Sequence, residues 1–256
     1  MTRRQTRLTE YRLPLFFLLT YVLSWWSVPF ANGGLLPHGP ALAAVIVLAT
    51  VDRHGIKGFW HRITHWRAGW WTVIGPAVIL GYQGAAFVVN LLLGATIAQL
   101  PHLPSAGTVV ELLLIGGLWE EIGWSGYALP NLQKRFTGRP NGPLMAALVV
   151  AVFRAIWHLP LFLYGKIFWF DILTFTIAFQ LLIAWIYNRS GGSVPAVMWF
   201  HLTSNVVGSI MSPVFTGAER TAYYALFMGL ASLAGLVIAW KSRLRPQPAQ
   251  PVATAL

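Results

Sequence analysis

The sequence predicts an all-α fold, a polytopic transmembrane bundle of about eight helices. Three observations lead there. Of 256 residues, 56% are hydrophobic and only 10% are charged, where an ordinary soluble domain carries roughly 25% charged residues. Trp and Phe are abundant, at 13 and 15. Apolar windows recur at about the 20-residue length that a bilayer core demands, and the basic residues fall in the gaps between them.

The windows run in order. Leu13–Phe30 is long and lacks a small-residue cleavage site, so it reads as a retained first span and not as a signal peptide. Leu35–Val51 is short and marked by Pro and Gly at its start. Trp70–Leu93, Thr108–Leu129, Pro143–Tyr164, Phe168–Tyr187, Val194–Met211 and Thr221–Trp240 complete the eight. Residues 1–245 are expected to form one integral-membrane domain with its chemistry concentrated in about 108–211. The Pro-rich stretch 246–256 is expected to be a disordered tail.

Basic residues test this layout. With the first terminus inside, the inner segments hold Arg3, Arg4, Arg7, Arg12, Arg53, Lys57, Arg62, Arg67, Lys134, Arg135, Arg139, Arg189, Lys241, Arg243 and Arg245. The outer loops hold only Lys166 and Arg220. That asymmetry predicts a multi-pass protein of the cell membrane with both termini cytoplasmic. It gives the net charge of +11 a membrane explanation, so lipid is an expected partner and nucleic acid is not. With no Cys, the chain has no disulfide, thiolate metal site or thiol nucleophile.

Glu120 and Glu121 lie deep in the fourth window. A charge in hydrocarbon costs about 3 kcal/mol or more, so adjacent carboxylates there need a reason. Neighbouring helical side chains diverge by about 100°, so the two can take separate roles. His158 falls in the fifth window. His201 and Asn205 fall in the seventh, at a spacing that puts both on one helix face. At about 1.5 Å per residue, Glu120, His158, His201 and Asn205 lie roughly 15, 22, 10 and 16 Å from the inner ends of their spans. Two carboxylates, two imidazoles and an amide in one layer can activate water and stabilise an oxyanion. A buried ion pair for the Glu residues, and helix-packing hydrogen bonds for the His and Asn residues, are the structural alternatives.

The segment Glu120-Glu121-Ile122-Gly123-Trp124-Ser125-Gly126-Tyr127-Ala128-Leu129-Pro130 resembles the first motif of the CPBP family of CAAX-protease-like, bacteriocin-processing (Abi-like) membrane enzymes. Trp157-His158-Leu159-Pro160 resembles the second motif, and His201-Leu202-Thr203-Ser204-Asn205 the third. The resemblance implies an intramembrane endopeptidase in which Glu120 and His158 activate water, with Glu121 beside them. It implies that His201 and Asn205 stabilise the oxyanion, or that Glu120, His158 and His201 hold a metal such as Zn²⁺. A membrane-associated peptide or protein, prenylated or bacteriocin-like, is the substrate it implies, cleaved near the cytoplasmic side. Two positions depart from the family pattern. Ser125 stands where the family has Arg, and Arg154 stands where it has an aromatic residue four places before the His. An unpaired buried Arg is costly, so Arg154 is expected to supply the missing guanidinium and pair with Glu121.

Two other classes are open. One is a catalytically inactive binding or immunity protein on the same fold, favoured by Ser125 and Arg154. The other is a proton-coupled transporter with Glu120, Glu121, Arg154 and His158 as a relay, which would need a polar path to both faces. His61 and His65, between Trp60 and Trp66 in a basic stretch, read as an interfacial amphipathic segment and not as a metal pair. Glu111 and Asp171 read as interfacial. Asn188-Arg189-Ser190 fits a glycosylation pattern but falls inside in this topology.

Overall fold

A computed structural model of the chain describes residues 10–66 and 68–245. Arg3, Arg4, Arg7 and Arg67, and the tail expected to be disordered, lie outside the described residues.

All eight apolar windows contain helix. The helices are α1 Arg12–Trp25, α2 Gly39–Thr50, α3 Ile56–Thr64, α4 Trp71–Leu92, α5 over 106–135, α6 Gly142–Leu163, α7 Asp171–Arg189, α8 Val194–Val214 and α9 Gly217–Ser242. Five of these, α4 and α6 to α9, are long and apolar enough to cross a membrane singly. A sixth candidate exists if α2 and the segment Arg53–Thr64, bent by 114°, count as one span. The first window yields a helix of only 14 residues, about 21 Å long at the usual rise. Pro29, Asn32 and Gly33 turn the chain there, the last two at positive φ of 47° and 81°.

The α5 run is not uniform. Its α-helical pieces Ala106–Leu112, Trp119–Gly123 and Leu129–Arg135 are joined through wider π turns at Leu113–Gly117 and Trp124–Ala128. Such turns mark functional stretches of helices, and these two flank Glu120 and Glu121. Each contains glycine, which lets a neighbouring helix come close. A Cβ on Gly117 would sit 3.2 Å from the Met198 carbonyl of α8, and one on Gly123, in the α-helical piece between the two turns, only 2.4 Å from the Pro40 backbone of α2.

Polar contacts sort the helix ends into two faces. On one, Arg12 pairs with Asp52 at 3.5 Å and Tyr127 donates to Asp52 at 3.2 Å. Gln133 donates to Asn188, which donates to the Leu244 carbonyl. The amphipathic α3 lies across this face, its Phe59 buried and Arg62 donating to the Gly126 carbonyl at 3.0 Å. On the other face, Ala98 bonds Val214, Thr96 bonds Glu219, and Arg220 bonds Ser212. Among the described residues, Arg12, Arg53, Lys57, Arg62, Lys134, Arg135, Arg139, Arg189, Lys241, Arg243 and Arg245 belong to the first face. Only Lys166 and Arg220 belong to the second.

Candidate active site

Four helices carry the site: α5 brings Glu120 and Glu121, α6 brings Arg154 and His158, α7 brings Gln180, and α8 brings His201 and Asn205. Their side chains meet at one buried level. Arg154 is 2% exposed, Glu121 0% and Glu120 7%.

Arg154 is the centre of the cluster. Its guanidinium reaches Glu121 at 2.6 Å, the pairing expected from the sequence, and also Glu120 at 2.7 Å. A second guanidinium nitrogen donates to the Gln180 amide oxygen at 3.0 Å. The reason Arg154 points inward lies one residue away. Phe153 faces α1, where it stacks on Phe17 with ring centroids 3.8 Å apart, and its carbonyl accepts from Tyr21. Neighbours on a helix diverge by about 100°, so Arg154 is turned toward the carboxylates.

Glu121 is saturated. One oxygen takes Arg154 and the Nδ1 of His201 at 2.9 Å, and the other takes the Ser125 hydroxyl at 2.5 Å. Ser125 therefore adds a hydrogen bond where the family pattern has a charge. Glu120 is different. Its Oε2 is held by Arg154, while its Oε1 faces the space in front of Gly116.

The imidazoles are oriented by what they touch. His158 places Nδ1 2.9 Å from the Arg154 carbonyl. A carbonyl only accepts, so Nδ1 carries the hydrogen and Nε2 is left as a proton acceptor. His201 likewise places Nδ1 on Glu121, leaving Nε2 toward the cavity. A Cβ built on Gly116 would sit 2.8 Å from Asn205 Nδ2, 3.5 Å from His201 Nε2 and 3.8 Å from Glu120 Oε1. The bare glycine thus leaves a space onto which those three atoms converge.

That space belongs to a cavity of about 370 Å³ whose lining includes Glu120, Arg154, His158, His201 and Asn205. Of the five candidate catalytic residues, Glu120, His158, His201 and Asn205 line this one pocket, and Glu121 lies behind Arg154. The opening differs from expectation. Cleavage near the cytoplasmic side requires a cavity open toward the basic face, but the remaining lining residues, among them Leu112, Ile115, Leu161, Ile167 and Asp171, lie toward the other face. The physical reason is packing. On the basic side of Glu121 the fully buried rings of Trp124, Tyr127 and Phe16 fill the bundle, with Phe16 5.2 Å from Tyr127 and 5.8 Å from Trp124.

A metal is a matter of donor sets. Ligand atoms of Glu120, Glu121 and His201 lie within 4.8 Å of one another, a spacing that could hold an ion. This set contains Glu121 and not the expected His158. The Arg154 guanidinium already bonds an oxygen of each carboxylate, and both oxygens of Glu121 have donors. The residues present do not fit a resident metal unless Arg154 is displaced.

Sequence reasoning missed Gln180, Gly116 and Ser204. A Gln inside a span is a visible signal, since a buried amide demands partners. Gly116 carried none. Asp171, read as interfacial, lines the cavity. Ring centroids of His61 and His65 lie 5.4 Å apart on the basic face, away from the site.

Residues 101–207 match a family described as Type II CAAX prenyl endopeptidase Rce1-like. The chain is also similar to the CAAX prenyl protease 2 of Methanococcus maripaludis. The two are 26% identical over 236 residues, covering 77% of this chain and 84% of the relative.

Proposed function

We propose, given that the chain belongs to the CPBP family of CAAX-protease-like membrane proteins, that it is an intramembrane endopeptidase using Glu120 and His158 to activate water. One observation carries this reading: Glu120, His158, His201 and Asn205 line the same buried cavity, each with an atom left free for chemistry.

In the reaction, water held between Glu120 Oε1 and His158 Nε2 loses a proton to one of them and attacks the peptide carbonyl carbon. Asn205 Nδ2 donates to the developing oxyanion. His201, once protonated at Nε2, is a second donor whose charge Glu121 supports through Nδ1. The tetrahedral intermediate then collapses, the C–N bond breaks, and the proton held by Glu120 or His158 passes to the leaving amine. Arg154 holds the unreactive oxygen of Glu120 and offsets one of the two carboxylate charges. No covalent intermediate and no metal enter this scheme.

The apolar helices and the likeness to a CAAX prenyl endopeptidase support a multi-pass membrane protein that acts on a membrane-associated substrate. The basic face is the cytoplasmic one in our reading, which puts both termini inside. A proton-coupled transporter is disfavoured, because the aromatic layer below Glu121 closes the polar path on the basic side. An inactive scaffold is disfavoured because Arg154 makes ionic contacts that Ser125 cannot. Hydrolysis of membrane-tethered peptides by the purified protein tests the proposal. A general base contributes about 10²- to 10⁴-fold, and loss of that order in Glu120→Gln is the expected result. Equal activity in that variant would refute the assignment.

A further inference from the structure

We infer that peptides enter this site from the extracytoplasmic half of the membrane, so that its substrates are segments exposed on, or embedded in, that half. The inference rests on the endopeptidase reading above and names the substrate class it implies. Two independent observations meet in it.

The first is the direction of the cavity. Its floor is Arg154, Glu120, His201 and Phe179. From there its walls climb only one way, along α5 toward Leu112, along α6 toward Leu161, along α7 toward Asp171 and along α8 to Asn205. Below the floor lie Glu121, Ser125, Gln180, Trp124 and Tyr127, each 0% exposed. Nothing the size of a peptide passes that layer. Ile115 is 53% exposed on the flank of the cavity, so the mouth meets lipid as well as water.

The second is charge. The walls climb away from the face that holds Arg12, Arg53, Lys57, Lys134, Arg135 and Arg189. Lys and Arg are retained on the cytoplasmic side of inner-membrane proteins. A prenylated cytoplasmic C-terminus would have to cross the aromatic layer to reach Glu120.

The chain's lack of Cys permits a direct test. Single variants Lys134→Cys and Lys166→Cys report which face is outside. Thr176→Cys and Ser204→Cys, both lining the cavity, report its mouth. Each is exposed to a membrane-impermeant methanethiosulfonate in right-side-out and in inverted vesicles. We expect Lys166→Cys, Thr176→Cys and Ser204→Cys to react in right-side-out vesicles, and Lys134→Cys only in inverted ones. Reaction of both cavity variants only in inverted vesicles, or in neither preparation, would overturn the inference. Reaction of Lys134→Cys from outside would also overturn it, by reversing the orientation. A parallel arm supplies an impermeant peptide to each preparation. Cleavage in right-side-out vesicles alone is expected, and cleavage only in inverted ones contradicts entry from outside. Outer labelling with cleavage in neither would leave the entry route intact and remove the endopeptidase reading.

Discussion

At the scale of single residues, Arg154 ties the site together by bonding Glu120, Glu121 and Gln180. Removing it would leave two adjacent carboxylates buried without a cation, and breaking such a pair costs about 3–5 kcal/mol. Arg154→Ala should therefore lower both thermal stability and activity, as read by unfolding in detergent beside a peptide assay. Exchange of charge through Glu121→Arg with Arg154→Glu should recover little. The same guanidinium also bonds Glu120 at 2.7 Å, and that contact would become a repulsion. Restoring the family arrangement is the better compensation. Ser125→Arg combined with Arg154→Phe should recover activity that Arg154→Phe alone loses, because position 125 already touches Glu121. No recovery, with the fold intact, would show that the two guanidinium positions are not equivalent. Gly116→Ala should abolish hydrolysis while leaving the fold, since its methyl would come within 2.8 Å of Asn205 Nδ2. Full activity there would mean that the reacting carbonyl does not occupy that space.

At the scale of elements, α5 shows what pattern could and could not reveal. Its apolar length predicted a span, and its Glu pair predicted a site. The two π turns carried no periodic signal, because they arise where Gly116, Gly117 and Gly126 let the backbone widen against neighbouring helices. Gly123, between the two turns, makes the tightest approach of α5 to a neighbouring helix. Gly123→Ala should loosen α2 from α5 and shift the melting temperature down, because the added methyl meets Pro40 backbone atoms that have no room to yield. An unchanged melting temperature would contradict that packing. The short helix α1 was also beyond pattern reading. Its window continued to Phe30, yet Pro29 and Gly33 end the helix early, and only tertiary contacts explain how it stays placed. Phe17 stacks on Phe153 and the Trp25 indole donates to the Trp157 carbonyl.

At the scale of the molecule, the helical membrane bundle and the residues that share its cavity were legible because burying charge is so costly that each polar residue in a span marks a purpose. Glu120, His158, His201 and Asn205 were readable in that way. The direction of the cavity was not, because it depends on which side of the polar layer is filled by Trp124, Tyr127 and Phe16, and aromatic residues are common throughout this sequence. The metal question turned on Arg154 for the same reason, since a guanidinium bridging two carboxylates is a matter of three-dimensional placement. The most direct test of the central claim is hydrolysis of membrane-tethered peptides by purified wild-type protein and Glu120→Gln, each with and without a strong chelator. The expected result is cleavage by the wild type that the chelator leaves unchanged and that Glu120→Gln loses. Cleavage abolished by the chelator and restored by added Zn²⁺, or no cleavage by a folded wild-type protein, would contradict it.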